Sequence, residues 1–296
     1  MNPLPRITII TPSYNQGAFL ERTIRSVLDQ GYENLEYFVI DGGSTGQSVE
    51  IIGKHKDHLA HWVSEPDTGQ TDAINKGLAR ATGDIIAYLN SDDVLLPGVL
   101  ATIAPLMAEP NAARWVVGRC TRIDAEDRPL EPFDLKSPDS FVQYLMRTSG
   151  FLPQPSSFWS ADLFARYGGF DRTMHYSFDY EFNCRLLAGG ETPLLIDKPL
   201  AALRVHDQSK GESQADGFVA ERFRVAQRYA PQLPWPERWR LYRDIGYRKR
   251  LVAIRNAQQA GSSSLWSHVL RRPWWLGSED IRKALCASTR IQRKAA

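Results

Sequence analysis

The first ninety residues alternate between short β-branched runs and amphipathic stretches, and this rhythm constrains the fold more than any other feature. RITIIT (6–11) reads as a strand that stops at Pro12. GAFLERTIRSVLDQ follows as a helix, with Leu20, Ile24, Val27 and Leu28 on one face and Gly31 as its stop. LEYFVID (35–41) is a second strand, broken by Gly42-Gly43, and a helical stretch from about Ser48 leads to a third, LAHWVSE (59–65). QTDAINKGLARA is then a helix ended by Gly83, and DIIAYLN (84–90) is a fourth strand. Strands separated by helices run parallel, joined by crossovers that pack on the sheet. The expected class is α/β, with a mostly parallel central sheet, helices on both faces and a Rossmann-like nucleotide-binding half.

Ligands of such sheets lie beyond the carboxyl ends of the strands, and there the polar motifs of this chain collect. Thr11-Pro12-Ser13-Tyr14 follows the first strand, Asp41-Gly42-Gly43-Ser44 the second, Glu65-Pro66-Asp67 the third and Ser91-Asp92-Asp93 the fourth. Two adjacent carboxylates at the mouth of a buried strand repel each other and resist desolvation, so something must compensate them. One solution is a turn in which Asp accepts backbone N–H groups. The other is a hard divalent cation, which takes carboxylate oxygen together with substrate phosphates.

The second half is less regular. RWVVGRCTRI (114–123) reads as a strand, SFVQYLM (140–146) as a short helix and DYEFNCRLLAGG (179–190) as a helix with a glycine stop. The segment GFLPQPSSFWSADLFARYGGFD mixes loop and helix, and TPLLID and LAALRVH are two further strands. Beyond Gly217 the pattern is helical, interrupted by PQLPWP (231–236) and GSSS (261–264). The overall charge of +2 hides an asymmetry there. Residues 217–296 hold 17 Lys and Arg against 5 Asp and Glu, whereas residues 1–216 hold 19 against 29. Five of the eight tryptophans also lie in that tail. The shift divides the chain into a domain at 1–216 and a basic, Trp-rich helical extension at 217–296. Cys120, Cys184 and Cys286 are an odd, widely spaced set without metal-ligand pairing, as in a reduced chain. With no signal pattern at MNPLPRITIITPSYN and no apolar run of about 18 residues, the expected location is cytoplasmic.

Four segments in order, ITIITPSYNQGAFLERTIRSVLDQ, VIDGGSTG, EPDTGQTDAINKGLARATGDIIAYLNSDD and FDYEFNCRLLAGG, resemble the inverting glycosyltransferases of family 2 over roughly residues 6–207. The resemblance implies a GT-A type fold, with a nucleotide-sugar half at about 1–123 and an acceptor half at about 124–216. It also implies sugar transfer from a nucleotide-diphosphate sugar, here expected to be a UDP-sugar. The acceptor would be a saccharide or a lipid-linked molecule in cell-surface polysaccharide or glycolipid synthesis.

The residue roles that the resemblance implies can be set against plainer ones. Asp93 is expected as the direct ligand of Mn²⁺ or Mg²⁺, with Asp92 toward ribose or metal, and His206 on the metal or the diphosphate. Asn90 stands where many members carry another Asp. Thr11, Ser13 and Tyr14 would line the base pocket, Tyr14 by stacking. A second acid is usual where Gly42 stands, so its absence leaves Asp41 and backbone groups to recognise the base. Asp67, Asp72 and Asn75 would face the donor sugar, although Asp67 or Thr68 could instead be a helix N-cap. Inverting transfer needs one general base, and Asp179 matches its place; Glu181 is the alternative base, and an N-cap the structural alternative. Gln154-Pro155-Ser156 would line the acceptor side, with Ser209 and Lys210 in a closing stretch.

The tail, with Trp235, Trp239, Trp266, Trp274 and Trp275, could pack as an appendage, lie on an anionic membrane or bind nucleic acid. The resemblance favours membrane contact, since family members often glycosylate lipid-linked acceptors at the cytoplasmic face, which would place the chain peripherally there; no nucleic acid is expected because no recognition motif accompanies the charge. Two rivals remain. A non-catalytic nucleotide-sugar-binding or assembly protein would have no use for a general base. A nucleotidyltransferase would want a Gly-rich, Lys- or Arg-bearing loop after the first strand, which TPSYNQG lacks.

Overall fold

A computed structural model describes residues 4–108, 112–133, 135–146, 152–207, 209 and 215–246. The chain divides into two compact units, 1–215 and 216–296. The first unit opens with β1 (Ile7–Ser13), α1 (Gly17–Leu28), β2 (Leu35–Asp41), α2 (Gln47–His55), β3 (His61–Ser64), α3 (Gln70–Leu78) and β4 (Ile85–Tyr88). It continues with β5 (Val94–Leu95), α4 (Val99–Met107), β6 (Trp115–Ile123), β7 (Pro129–Leu130) and α5 (Phe141–Met146). β8 (Ser157–Ser160), α6 (Ala161–Tyr167), α7 (Phe178–Ala188) and β9 (Leu194–Arg204) complete it.

The strands form one sheet in the order β3-β2-β1-β4-β8-β6-β9-β5, with β7 paired to β6. Its first half is parallel, as the alternation predicts: β1 pairs with both β2 and β4, and β2 with β3. The order turns about β1, since the chain winds outward to β3 and then returns to place β4 on the other side. Such a reversal opens a crevice at the carboxyl ends of the strands. The second half extends the same sheet through β8, which runs antiparallel to β4 and β6. That strand, SFWS, lies inside the stretch read from sequence as loop and helix. TPLLID and LAALRVH, expected as two strands, form the single strand β9, irregular opposite Gly118 to Cys120. β1 also runs through Pro12 to Ser13 rather than stopping. Past Ile10 its ladder continues on the β2 side only, so a residue without an N–H is tolerated.

Side chains alternate across β1 to build two cores. Ile7 and Ile9 join Leu20, Ile24 and Val27 of α1, Ile52 of α2 and Leu100 and Ile103 of α4, all fully or almost fully buried. Each such side chain contributes about 1.5–3 kcal/mol relative to exposure. Ile10 faces the other way, against α3, where a Cβ on Gly77 would come within 2.6 Å of its Cγ2. On that face an aromatic group grows from Tyr88, Trp159, Phe170 and Phe178, with Tyr88 and Trp159 stacked at 6.2 Å and Tyr88 and Phe170 edge to face at 5.2 Å. This group lies directly beneath the end of β4.

The second unit contains all but the first residue of α8 (Ala215–Tyr229), a short 3₁₀ turn (Ala230–Gln232) and helical residues 235–246. Val225, Ala226, Leu233, Leu241 and Ile245 are buried, whereas Trp235, Trp239 and Tyr242 are exposed at 72%, 51% and 48%. The rest of the tail, with Cys286, Trp266, Trp274 and Trp275, lies outside the described residues. No described helix is long and apolar enough to cross a membrane.

Candidate active site

The end of β4 separates the two adjacent acids. Asp93 turns inward and is 2% exposed. Its Oδ1 accepts the backbone N–H of Arg204 at 2.9 Å and its Oδ2 accepts Asn90 Nδ2 at 3.1 Å. Burial, and then repulsion from Asp92, push its carboxyl well above the usual range. Asp92 turns outward with a fifth of its side chain exposed, and its Oδ2 lies 3.1 Å from His206 Nε2. Asp93, expected as the direct metal ligand, thus has a hydrogen bond from within the protein on each oxygen, and Asp92 is the acid that faces His206.

Strand pairing explains how residues 114 positions apart meet. β5, just after Asp93, pairs antiparallel with Ala201 and Ala202 of β9, so the two motifs leave the sheet together. Arg204 fastens them. Its side chain is fully buried, with Nε donating to the Asp92 carbonyl at 2.8 Å and Nη1 to the Asp124 carbonyl at 2.9 Å. Nη2 is ion-paired with Asp127 Oδ1 at 2.6 Å. The guanidinium also lies 5.1 Å from the Phe19 ring, which is 4.5 Å from the His206 ring. A buried cation beside two acids lowers the cost of holding them together. Sequence reading missed Arg204, Phe19 and Asp127; only the position of Arg204 two residues before His206 hinted at a role.

The ends of β1 and β2 are less open than their motifs suggest. Thr11 is fully buried, its hydroxyl 3.0 Å from that of Tyr37, and so does not line a base pocket. Ser13 is 4% exposed with its hydroxyl enclosed, while Tyr14 is 63% exposed at the rim. Asp41 is also fully buried. It accepts Ser44 N at 2.8 Å, Ser44 Oγ at 2.6 Å and Ser64 Oγ at 2.7 Å. Its carboxylate closes the DGGS turn and joins β2 to β3, so the residue expected to recognise the base is held by three hydrogen bonds inside the protein.

Around α3, Asn75 proves structural: its amide bonds the Phe170 backbone in both directions, at 2.8 and 3.0 Å, and is not presented to a donor. Asp72 receives Thr68 N at 3.3 Å and lies 3.7 Å from Arg172. The N-cap of α3 is Gly69, so neither Asp67 nor Thr68 caps it. Asp67 is half-buried and accepts Gly69 N at 2.8 Å. Asp179 lies in the first turn of α7, two residues past the Ser177 cap, and is half-buried. Glu181, the alternative base, is fully buried and ion-paired with Arg185 at 2.7 Å, which removes it from the cleft. The buried phenol of Tyr88 is pushed well up by desolvation and by the charges of Asp179 and Asp93, so both acids lie within electrostatic reach of it.

Amide side chains floor the space between. Gln70 Nε2 donates to Asn90 Oδ1 at 2.6 Å, and Gln154 Nε2 to the Tyr88 carbonyl at 2.8 Å. Ser209 folds back so that its hydroxyl accepts the His206 N–H at 3.0 Å. Lys210 lies outside the described residues.

The outward pair fits a divalent cation. Asp92 supplies carboxylate oxygen and His206 an imidazole nitrogen across 3.1 Å, with no thiolate to favour softer metals. Among the described residues no group of three or more His, Cys, Asp or Glu could hold a metal ion. Were Mg²⁺ or Mn²⁺ held at this pair, phosphates and water would have to complete its shell.

Comparison with known proteins bears on the family and the fold. A family model described as glycosyl transferase family 2 matches residues 8–160. An uncharacterized glycosyltransferase of Mycobacterium tuberculosis is 33% identical over 191 residues, covering 62% of this chain and 70% of the relative. Among solved structures, Staphylococcus aureus TarS 1–349 in complex with UDP-GlcNAc is similar with a TM-score of 0.63 at 16% identity, over 81% of this chain and 71% of that one. The mannosyltransferase PcManGT from Pyrobaculum calidifontis, in complex with GDP-Man and Mn²⁺, has a TM-score of 0.53 at 18% identity, over 97% and 85%.

Proposed function

The chain belongs to glycosyl transferase family 2, and we propose that it transfers a sugar from a nucleotide-diphosphate sugar, with inversion, using a divalent cation. The observation that carries this reading is the pairing of Asp92 with His206 just beyond β4, whose buried Tyr88 lies within electrostatic reach of both Asp93 and Asp179. Asp92 and His206 hold Mn²⁺ or Mg²⁺, and Asp93 and Arg204 position Asp92 from behind. The bound cation supplies Lewis-acid neutralisation of the diphosphate leaving group. Asp179 accepts the proton of the acceptor hydroxyl as that oxygen attacks the anomeric carbon from the face opposite the diphosphate. The bond to the diphosphate oxygen breaks as the new glycosidic bond forms, so one displacement inverts the centre. Gln70, Asn90 and Gln154 keep the floor of the cleft polar without adding charge.

The donor is a UDP-sugar in this reading and the acceptor a saccharide or lipid-linked molecule of cell-surface polysaccharide or glycolipid synthesis. Exposed Trp235, Trp239 and Tyr242 are spaced i, i+4, i+7 along one helical face, with exposed Arg240 and Arg243 beside them. That face suits the interface of an anionic membrane, and cosedimentation with anionic and neutral vesicles tests it; equal absence from both pellets removes the membrane from the proposal.

The central test is turnover of α-linked nucleotide sugars followed by NMR. Release of the nucleoside diphosphate should stop with chelator and return with Mn²⁺ or Mg²⁺, and the freed sugar should first appear as the β anomer. Asp179→Asn should lower transfer by about 10²–10⁴-fold while leaving the melting temperature unchanged. Undiminished turnover in chelator, or an α product, contradicts the reading.

A further inference from the structure

Residues 168–177 carry the chain from α6 to the first turn of α7, where Asp179 lies, without forming a helix or strand. Such a stretch needs partners for its backbone, and α3 supplies part of them. Asn75 Nδ2 donates to the Phe170 carbonyl at 2.8 Å, and Asn75 Oδ1 accepts the Phe170 N–H at 3.0 Å. One side chain thus holds both backbone groups of a residue 95 positions away. The approach is close: a Cβ on Gly169 would lie 2.4 Å from Asn75 Oδ1, so glycine there admits the amide. Further along, the Thr71 hydroxyl donates to the Met174 carbonyl at 2.6 Å. Asn75 and Thr71 are both buried, which shields these bonds from water.

Phe170 matters for what its ring touches. It meets Tyr88 edge to face at 5.2 Å, Phe178 edge to face at 5.6 Å and Phe182 at 5.0 Å. Phe178 and Phe182 stand at i and i+4 on α7 and so share one face of that helix. A helix packed through two side chains of one face is fixed in rotation as well as in position, because a close-packed interior leaves no slack. The place of Phe170 therefore sets the direction in which α7 carries the residue after Phe178, which is Asp179.

Resting on the reading of Asp179 as the general base, we infer that Asn75 is a positioning residue for it. The amide fixes Phe170, and the Phe170 ring fixes the first turn of α7. The Asp92–His206 pair is held separately, through Arg204 and β9, and does not depend on this tie. Loss of the amide displaces the base from the attacking oxygen and leaves the diphosphate end of the site as it is. A misplacement of about 1 Å at a reacting group lowers turnover by up to about 10²-fold.

Hydrolysis of UDP-glucose and UDP-GlcNAc by the full chain, with water as acceptor, reads the base, and calorimetry of UDP with Mn²⁺ reads the diphosphate end. Asn75→Leu, similar in shape, removes both bonds to Phe170 and should lower kcat by about tenfold or more with UDP affinity within about twofold. Thr8→Val is the control for stability alone. Thr8 is fully buried near the amino end of β1, where its hydroxyl donates to Glu36 at 2.6 Å and accepts the Gly83 N–H at 3.0 Å. That variant also loses two hydrogen bonds, so it should melt earlier yet keep its kcat. Phe170→Leu should lower kcat as Asn75→Leu does, and it tests the same link where Asn75→Leu does not fold. Asn75→Leu/Phe170→Leu should be no slower than the slower single variant, because the two residues act in series. An Asn75→Leu protein as fast as Thr8→Val, or losses that multiply in the double variant, overturns the inference. So does a UDP affinity that falls in step with kcat, which would make Asn75 a donor contact. Undiminished hydrolysis by Asp179→Asn, or none by the unmodified protein, overturns the reading of the base itself.

Discussion

The ends of β2 and β4 carry the same signal in the sequence, an acid closing an apolar run before a turn, yet the two ends behave differently. At β2 the acid is internal: Asp41 is fully buried, and hydroxyls and an N–H from Ser44 and Ser64 satisfy it. At β4 the doubled acid divides the work. Asp93 takes the internal place, with the backbone of Arg204 and the amide of Asn90 as donors, and Asp92 is presented outward to His206. The comparison teaches that the first acid a strand end needs is structural, because a turn leaving a sheet has N–H groups to satisfy. Only a second acid is available for chemistry. At β2 the second place is Gly42, and a carboxylate from the next loop fills it.

The sharpest way to break this comparison is to neutralise each β4 acid in turn. Asp92→Asn removes a presented charge and should lower turnover by about 10²-fold or more, with the melting temperature shifted by no more than about 2 °C. Asp93→Asn should do the reverse in emphasis, because one of its two donors loses a charged acceptor. A stability loss of about 1–2 kcal/mol with a smaller loss of turnover is expected, read by thermal melting beside a donor-hydrolysis assay. Equal loss of activity with unchanged stability in both variants would return Asp93 to the metal.

The second prediction carries the comparison to β2. Asp41→Asn places an amide N–H₂ against groups that already donate, at a fully buried position. A cost of about 2–3 kcal/mol should lower the melting temperature by roughly 5–10 °C. Calorimetry of UDP binding on the protein that remains folded should match the unmodified chain. A variant that melts normally but binds UDP poorly would make Asp41 a ligand contact after all.

How far the sequence reveals this follows from the distance over which each feature is decided. The rhythm of β1 to β4 depends on neighbours within about twenty residues, and it was legible together with the motifs at the strand ends. The inserted strand β8 was not, because Ser157–Ser160 is too short for a period and its place is set by β4 and β6, both distant in the chain. The same holds for single residues. Thr11 looks like a pocket residue until Tyr37 is found against it, and Asn75 looks like a donor contact until Phe170 closes on it. Which of Asp92 and Asp93 turns inward is decided by Arg204, more than a hundred positions away. Glycine at 42 reads as a turn former, and only the position of Asp67 shows that it provides room.

The smallest effect comes from the link between β2 and β3. Asp41 and Ser64 are partners in the parallel register, and the Ser64 hydroxyl donates to Asp41 at 2.7 Å. Ser64→Ala removes that one bond and leaves Asp41 with both donors from Ser44. The loss should therefore be about 1 kcal/mol, or roughly 2–4 °C in melting temperature, because no donor is left facing another donor. The loop that holds Asp67 should keep its place, since Glu65 N still donates to the Asp41 carbonyl and Lys76 still holds Glu65. The affinity for UDP should accordingly stay as it is. An affinity that falls along with the melting temperature would mean that the buried acid of β2 and the half-buried acid of the next loop act as one unit, and the division between structural and presented acids would hold at β4 alone.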